Sequence, residues 1–578
     1  MPSAASYIKV IIIVLLAVLI CCIIILSLVP PVSKDALTHH LAIPKLYLKH
    51  GGMYEIPDIE FSYYPMNLEL LYLIPLYFGN DIIPKIIHFL FALSTAWLIY
   101  YYLNKRINSL YALLGALFFL SIPIIIKLSI TVYVDLGLIF FSTASLIYLF
   151  KWIEDHFQLK NLLRSAICCG FALGVKYNGL IALLFLNLFV PLIYARRAAA
   201  HMNLRGLGKT SHNKSSGWYG KPSDQIKSIG YGLVFLIVSL MVFSPWMIRN
   251  TLWTNNPVYP LFNTIFNPPN DKSYSEIVNE RVFDSSPSKN KLTHFSFRTL
   301  MYNEPWWRIA LIPVRIFFEG QDGTPKYFDG RLNPLLFFLP LLAVVGLKKN
   351  TDMIRFEKAI LLSYAILFIL LVFFFIDMRI RWIAPAIPPL VILSMFGLHE
   401  VYALIAERFS EKGSKVFTGL VSVIIVLLVS LNVNYLLNQF RDVDPLSYIL
   451  GRVGRDDYIE RFRIEHPTIQ FANQNLSENA EILCLFLGKR RYYSDREMIF
   501  DEAYLLDTLK RAKSSTDVLM RLQKRGITHL LIRYDLFNQW QIDNFGKGKK
   551  AIFTKFFEEH VKPLFSRNNY GLFELKGP

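Results

Sequence analysis

The sequence predicts a polytopic α-helical membrane protein of about eleven transmembrane helices, followed by a small extracytoplasmic α/β domain at the C-terminus. Three observations predict it. Hydrophobic residues make up 54% of the 578-residue chain and charged residues only 18%, whereas about a quarter of an ordinary soluble protein is charged. Apolar runs near the ~20 residues that cross a bilayer recur as far as Leu437. The net charge of +18 falls mostly between those runs, as the positive-inside rule describes, so it requires no nucleic-acid partner. Gly and Pro, 29 each, exclude a collagen-like or disordered chain. The five Cys, four of them as the adjacent pairs Cys21-Cys22 and Cys168-Cys169 in apolar runs, make neither a disulfide framework nor a zinc site.

In chain order the expected spans are 8–29, 84–103, 110–126, 134–150, 162–175, 179–194, 228–248, 332–347, 359–376, 382–404 and 416–437. The first is too long for a signal peptide and lacks a small-residue cleavage site after it. Basic clusters at Lys105/Arg106, Lys151/Lys160/Arg164, 196–227, Lys348/Lys349/Arg355/Lys358 and Arg408/Lys412/Lys415 mark cytoplasmic loops. Parity then makes 162–194 a hairpin of two short helices with Lys176 at its outer tip. Parity also lays 67–78, about 18 Å long as a helix, along the interface rather than across it.

The expected topology has a cytoplasmic N-terminus, in a plasma or inner membrane. Residues 1–437 form the transmembrane domain, with outer loops 30–83 and 249–331, and residues 438–578 form the outer α/β domain. In the latter, 480–487 and 527–532 read as strands and about 505–524 as helix. The polar stretch 204–225 reads as a cytoplasmic loop. It contains Gly206-Leu-Gly-Lys209-Thr210, which is no phosphate loop, because its first Gly is missing and no strand precedes it.

Ionisable residues at the outer membrane face are the chemical candidates. Asp35 follows the first span directly; it could accept a proton from a hydroxyl, or cap the helix after it. Asp135 lies among apolar residues at the outer end of the fourth span, where an acid is costly and marks a functional site unless it serves the helix terminus. Lys176, Arg379 and Arg381 could bind a lipid phosphate or snorkel to headgroups. His39 and His40 are adjacent and point about 100° apart on a helix, a poor metal pair, though a divalent metal elsewhere stays open. Tyr63, Tyr64, Trp306 and Trp307 could stack on a sugar or sit in an aromatic belt.

Several stretches together resemble C-type glycosyltransferases (GT-C, the family-39-like group). They are Asp35…His40-Leu-Ala-Ile-Pro44-Lys45-Leu-Tyr47, Tyr64-Pro65, Tyr133-Val-Asp135-Leu and Gly174-Val-Lys176-Tyr-Asn-Gly179. Further along come Pro245-Trp246-Met-Ile-Arg249-Asn250, Asn256-Pro257-Val-Tyr-Pro260 and Arg381…Pro385…Pro388. The nearest groups are protein O-mannosyltransferases and the aminoarabinose transferases of lipid A. The tail, with Leu487-Gly488-Lys-Arg-Arg-Tyr492-Tyr493, is similar to the outer domain many of them carry.

The resemblance implies inverting transfer of a sugar from a polyprenyl-phosphate donor to a lipid, polysaccharide or protein hydroxyl outside the cytoplasm. It implies Asp35 as general base, and Asp135 as the group that orients the acceptor or base or helps hold a metal. Lys176 with Arg379 or Arg381 would neutralise the departing phosphate. His39, His40 and Tyr64 would touch acceptor or sugar. Protein mannosyltransferases carry two adjacent acids in the first loop; here Lys34 precedes Asp35, so a lipid or polysaccharide acceptor is expected at least as readily as a protein. The rival readings are a transporter or flippase of a lipid-linked sugar, and a non-catalytic envelope-assembly subunit. Internal repeats are absent, and the charges sit at the rim rather than the midplane, which favours the enzyme.

Overall fold

The computed structural model describes residues 4–205, 222–268, 294–343, 350–408 and 411–576. Helix α1 (Ala4–Ser27) stops before Pro30-Pro31, which cannot continue a helix. A π-helical turn, Ala36–His40, leads into α2 (Ala42–His50), closed by Gly51 at φ 81°. Then come α3 (Asn67–Tyr77) and α4 (Ile83–Arg106), the latter with Pro84 in its first turn. Asn108 caps α5 (Ser109–Ser121) by accepting the N–H groups of Leu110 and Tyr111. Pro123 then opens α6 (Pro123–Ser129), bent 66° from α5. Next are α7 (Asp135–Glu154), α8 (Leu159–Val175), α9 (Gly179–Arg205) and α10 (Pro222–Thr254). Asp352–Phe375, Ile387–Arg408 and Glu411–Val443 complete the long helices.

Among the described residues, 7 helices are long and apolar enough to cross a membrane, or 8 if the bent α5–α6 pair is one span. The chain is an integral membrane protein. Seven of the expected spans coincide with those helices, and 110–126 is the bent pair. The expected 162–175 lies in α8, whose 17 residues reach about 26 Å, short of the ~30 Å hydrocarbon core. The expected 332–347 begins as the 8-residue helix Leu335–Leu342 and continues outside the described residues. The expected 416–437 is the middle of the 33-residue helix Glu411–Val443. The expected loop 204–225, with the rejected phosphate-loop pattern, lies largely outside the described residues.

Helix α3 is two-faced. It buries Leu68, Glu69, Tyr72 and Pro75 and exposes Leu70, Leu71, Ile74 and Tyr77, with Phe78 just beyond. An exposed apolar face on an eleven-residue helix suits the plane of the membrane interface rather than a span. The ends of α4 and α7 are clamped by Arg106, which bonds both Glu154 and Glu357, while the Tyr102 hydroxyl donates to Glu357 at 2.7 Å. Glu154 closes α7, so this ionic cluster lies about 30 Å along that helix from Asp135 at its start.

The C-terminal region carries a five-stranded sheet of order β2-β1-β3-β5-β4. The strands are β1 (Glu481–Leu485), β2 (Glu497–Ile499), β3 (His529–Arg533), β4 (Val561–Arg567) and β5 (Tyr570–Leu575). β1 is parallel to β2 and β3, while β5 is antiparallel to β3 and β4. The β4–β5 hairpin turns on Asn568 and Asn569, both at positive φ, the pattern that matches strand twist. The two expected strands are β1 and β3. The expected helix over 505–524 is two helices, Glu502–Arg511 and Ser515–Lys524, each with its own cap, Asp501 and Ser514.

This region is fastened to the segment after α1. Lys45 Nζ donates to the Tyr492 and Ser494 carbonyls and to Asp495 Oδ1 at 2.8–3.0 Å. The N–H groups of Arg491 and Tyr492 both donate to the Leu37 carbonyl at 3.1 Å. The Tyr493 hydroxyl donates to the Pro31 carbonyl at 2.8 Å.

Candidate active site

A cavity of about 510 Å³ opens where the π-turn, α3, the α8–α9 tip, the segment before Ile387 and the Gly488–Arg491 loop meet. Asp35, His39, His40, Tyr64, Lys176, Arg379 and Arg381 all line it. Asp135 does not; it stands behind, 2% exposed, and accepts a bond from Lys176 at 2.8 Å. Trp306 and Trp307 are exposed and outside this cavity. Tyr63 is buried, its carbonyl accepting from Arg249.

Asp35 precedes the π-turn, a form of helix that often marks functional sites. It makes no side-chain cap bond. Its Oδ2 instead takes a 2.6 Å bond from Arg381, which lies 5.2 Å from the Tyr133 ring centre. Burial pushes the Asp35 carboxyl up, but Arg381, with His39 and His40, overrides it and holds the group well below its ordinary range. Asp35 is therefore a carboxylate throughout the neutral range.

Asp135 is the first residue of α7 and does not cap it. His88 does that work: its Nδ1 lies 3.0 Å from the Leu128 and Thr131 carbonyls, and its Nε2 accepts the Leu136 N–H at 3.0 Å. Those partners fix the His88 proton on Nδ1. Lys176, held over the Trp382 ring at 4.5 Å, is pulled down by burial, with the drop limited by Asp135. Arg379 is engaged by Asp377 at 2.9–3.0 Å and flanks the same Trp382 ring at 5.7 Å.

The tip that carries Lys176 is set by packing. A Cβ on Gly174 would overlap the side chain of Asn67, whose Oδ1 accepts from Trp246 Nε1 at 2.8 Å. Arg249 lies 4.6 Å from the Trp246 ring centre and 4.9 Å from that of Trp253. It donates to the Tyr63 and Tyr64 carbonyls, while Asn250 donates to the Tyr63 carbonyl and to the Tyr177 hydroxyl. This pair orients the wall that bears Tyr64.

Glu69 was not anticipated. It is 5% exposed, lines the cavity, and its Oε1 lies 2.8 Å from His40 Nδ1. In water such a pair would be ionic. Here burial pushes the Glu69 carboxyl up to about 8 and pulls His40 down to about 4, so both are neutral at pH 7. Also unforeseen are Lys489 and Arg491, by which the C-terminal region closes the cavity. Among the described residues, no group of three or more His, Cys, Asp or Glu side chains is placed to hold a metal ion. Asp35, Asp135 and His40 are each committed to a protein partner.

Long helices thus surround an ionic pocket, with a sheet-bearing C-terminal region over its mouth. Residues 58–210 match the family described as dolichyl-phosphate-mannose-protein mannosyltransferase. The chain is also similar over its whole length to ArnT from Cupriavidus metallidurans. The apo structure gives a TM-score of 0.56 at 12% identity, covering 100% of both chains. The structure bound to undecaprenyl phosphate gives 0.53 at 12% identity, again over 100% of both. A looser likeness, TM-score 0.47 at 12% identity, covers 96% of this chain and 74% of the oligosaccharyltransferase of Archaeoglobus fulgidus. No curated protein sequence matches significantly.

Proposed function

We propose that this chain transfers a sugar from a polyprenyl-phosphate donor to an acceptor hydroxyl at the extracytoplasmic face, with inversion at the sugar carbon. One observation carries the proposal: a carboxylate and three cations, Asp35, Lys176, Arg379 and Arg381, line one cavity. The likeness to an ArnT structure bound to undecaprenyl phosphate supports the donor class. The family match supports glycosyl transfer. The cavity lies at the Asp135 end of α7, opposite the Arg106 cluster that the positive-inside rule assigns to the cytoplasm. On this reading the N-terminus is cytoplasmic and residues 438–578 form the outer domain.

In the reaction the acceptor oxygen attacks the anomeric carbon while the bond from that carbon to the phosphate oxygen breaks. The acceptor proton passes to Asp35, whose Oδ1 makes no hydrogen bond to the described residues. Negative charge develops on the departing phosphate, where Lys176, Arg379 and Arg381 meet it. A donor phosphate that draws on Arg381 loosens the bond that holds Asp35 acidic, so donor binding raises the basicity of Asp35. Asp135 acts by holding Lys176. The acceptor is a lipid, polysaccharide or protein hydroxyl.

The test is turnover of a panel of radiolabelled polyprenyl-phosphate sugars in proteoliposomes, wild type beside Asp35→Asn. Release of polyprenyl phosphate by the wild type, lost in the variant, is the expected result. Equal turnover by both would remove Asp35 as base. Movement of donor across the bilayer without cleavage would replace the enzyme by a flippase.

A further inference from the structure

The pair His40–Glu69 has no part in the proton and phosphate roles just assigned, yet it forms part of the cavity wall. His40 is 7% exposed and Glu69 5%. Their one mutual bond joins Nδ1 to Oε1 at 2.8 Å, and Glu69 Oε2 has no hydrogen-bond partner among the described residues. A buried carboxylate with one oxygen bare is costly, whereas a carboxylic acid that donates through one oxygen leaves only a weak carbonyl acceptor unmet. His40 Nε2 makes no hydrogen bond to the described residues and is not enclosed among buried unpaired atoms.

We propose that Glu69 is a positioning residue. It donates its carboxyl proton to His40 Nδ1 and so holds His40 as a neutral imidazole with its own proton on Nε2, a donor to a substrate oxygen beside Asp35. The surroundings fit a neutral pair. His40 is faced by Asp35 and Asp135 on one account and by Lys176 and Arg381 on the other, with neutral His39 4.1 Å away between ring centres. Glu69 is faced by Lys176 and Arg249 against Asp135, with the Tyr47 and Tyr72 hydroxyls nearby. A neutral donor adds no charge to the cavity. Above a pH of about 8 Glu69 ionises and can only accept. The bonding proton must then sit on Nδ1, and Nε2 turns from donor to acceptor.

The identity of the substrate oxygen rests on the transfer reaction proposed above; the tautomer does not, and it is measured directly. Uniformly ¹⁵N-histidine-labelled protein in liposomes is followed by solid-state NMR at about pH 6.5 and about pH 9.5, with His40 assigned by difference from His40→Asn. The expected wild-type result is an Nε2–H imidazole at the lower pH that converts to Nδ1–H at the higher. Glu69→Gln, whose amide does not titrate, shows no conversion. An Nδ1–H imidazole at about pH 6.5, or the same conversion in Glu69→Gln, overturns the proposal. Transfer assays add the functional readout: the wild-type rate falls on the alkaline side and Glu69→Gln flattens that limb. A chain that transfers no donor at all while passing the NMR test would sink the reaction and keep the pair.

Discussion

Asp35 and Arg381 are 346 residues apart in sequence and 2.6 Å apart in the fold. Because the folded carboxyl sits below its unfolded value of 3.8, its contribution to stability is complete above that pH and fades as pH falls toward the folded value. Thermal stability in liposomes should therefore decline more steeply for the wild type than for Asp35→Asn as pH falls below about 4. At neutral pH Asp35→Asn should stay folded, by gel filtration and circular dichroism, and lose at least ~10²-fold in transfer, the usual scale of a general base. Asp135→Asn should also stay folded, and should lose activity through Lys176. Lys176→Met should cost ~10²-fold in kcat, as loss of one charge-stabilising group does.

These ionic residues were legible because acids and cations stand out at the edges of apolar runs. Their pairing was not, since nothing local joins Asp35 to Arg381 or Asp135 to Lys176. Glu69 carried the same signal, one acid in Asn67-Leu-Glu-Leu-Leu-Tyr72. A helix along the interface has a wet side on which a Glu is unremarkable, so sequence alone does not single it out. The three-residue spacing to Tyr72, on the same buried face, was the available clue.

At the scale of elements, the α8–α9 tip depends on contact between α8 and the start of α3. Gly174→Ala puts a methyl into the Asn67 amide, which Trp246 already holds. Overpacking of this kind costs about 1–3 kcal/mol, and here it pushes Lys176 away from Asp135. The expected result is a lower midpoint of thermal unfolding and a raised donor KM; an unchanged KM would show that the tip tolerates the shift. Long elements were readable from hydropathy because a bilayer demands length. The bend at Pro123 and the three extra strands were harder: β2 has three residues, and β4 contains Pro563 with an irregular register beside it.

For the molecule as a whole, the fastening at Lys45 matters most. Lys45→Met removes three bonds to the Tyr492–Asp495 loop and should speed amide exchange across 489–495 while leaving the helices unchanged. Transfer should weaken with it, because Lys489 and Arg491 close the cavity from that loop. Exchange confined to the wild-type rate would mean that the loop is held elsewhere. The two ends of the chain were each readable, but their meeting was not, since Lys45 reaches Asp495 across 450 residues.

That meeting also has a consequence in time. One wall of the cavity leaves the ribosome long before the opposite wall, so a growing chain threads its helices into the membrane with the pocket still unwalled. Unfinished or truncated copies would hold Asp35 and Lys176 but lack the wall that Gly488–Arg491 supplies. The cavity is therefore complete only once residues 488–491 have been made and have docked against the segment after α1.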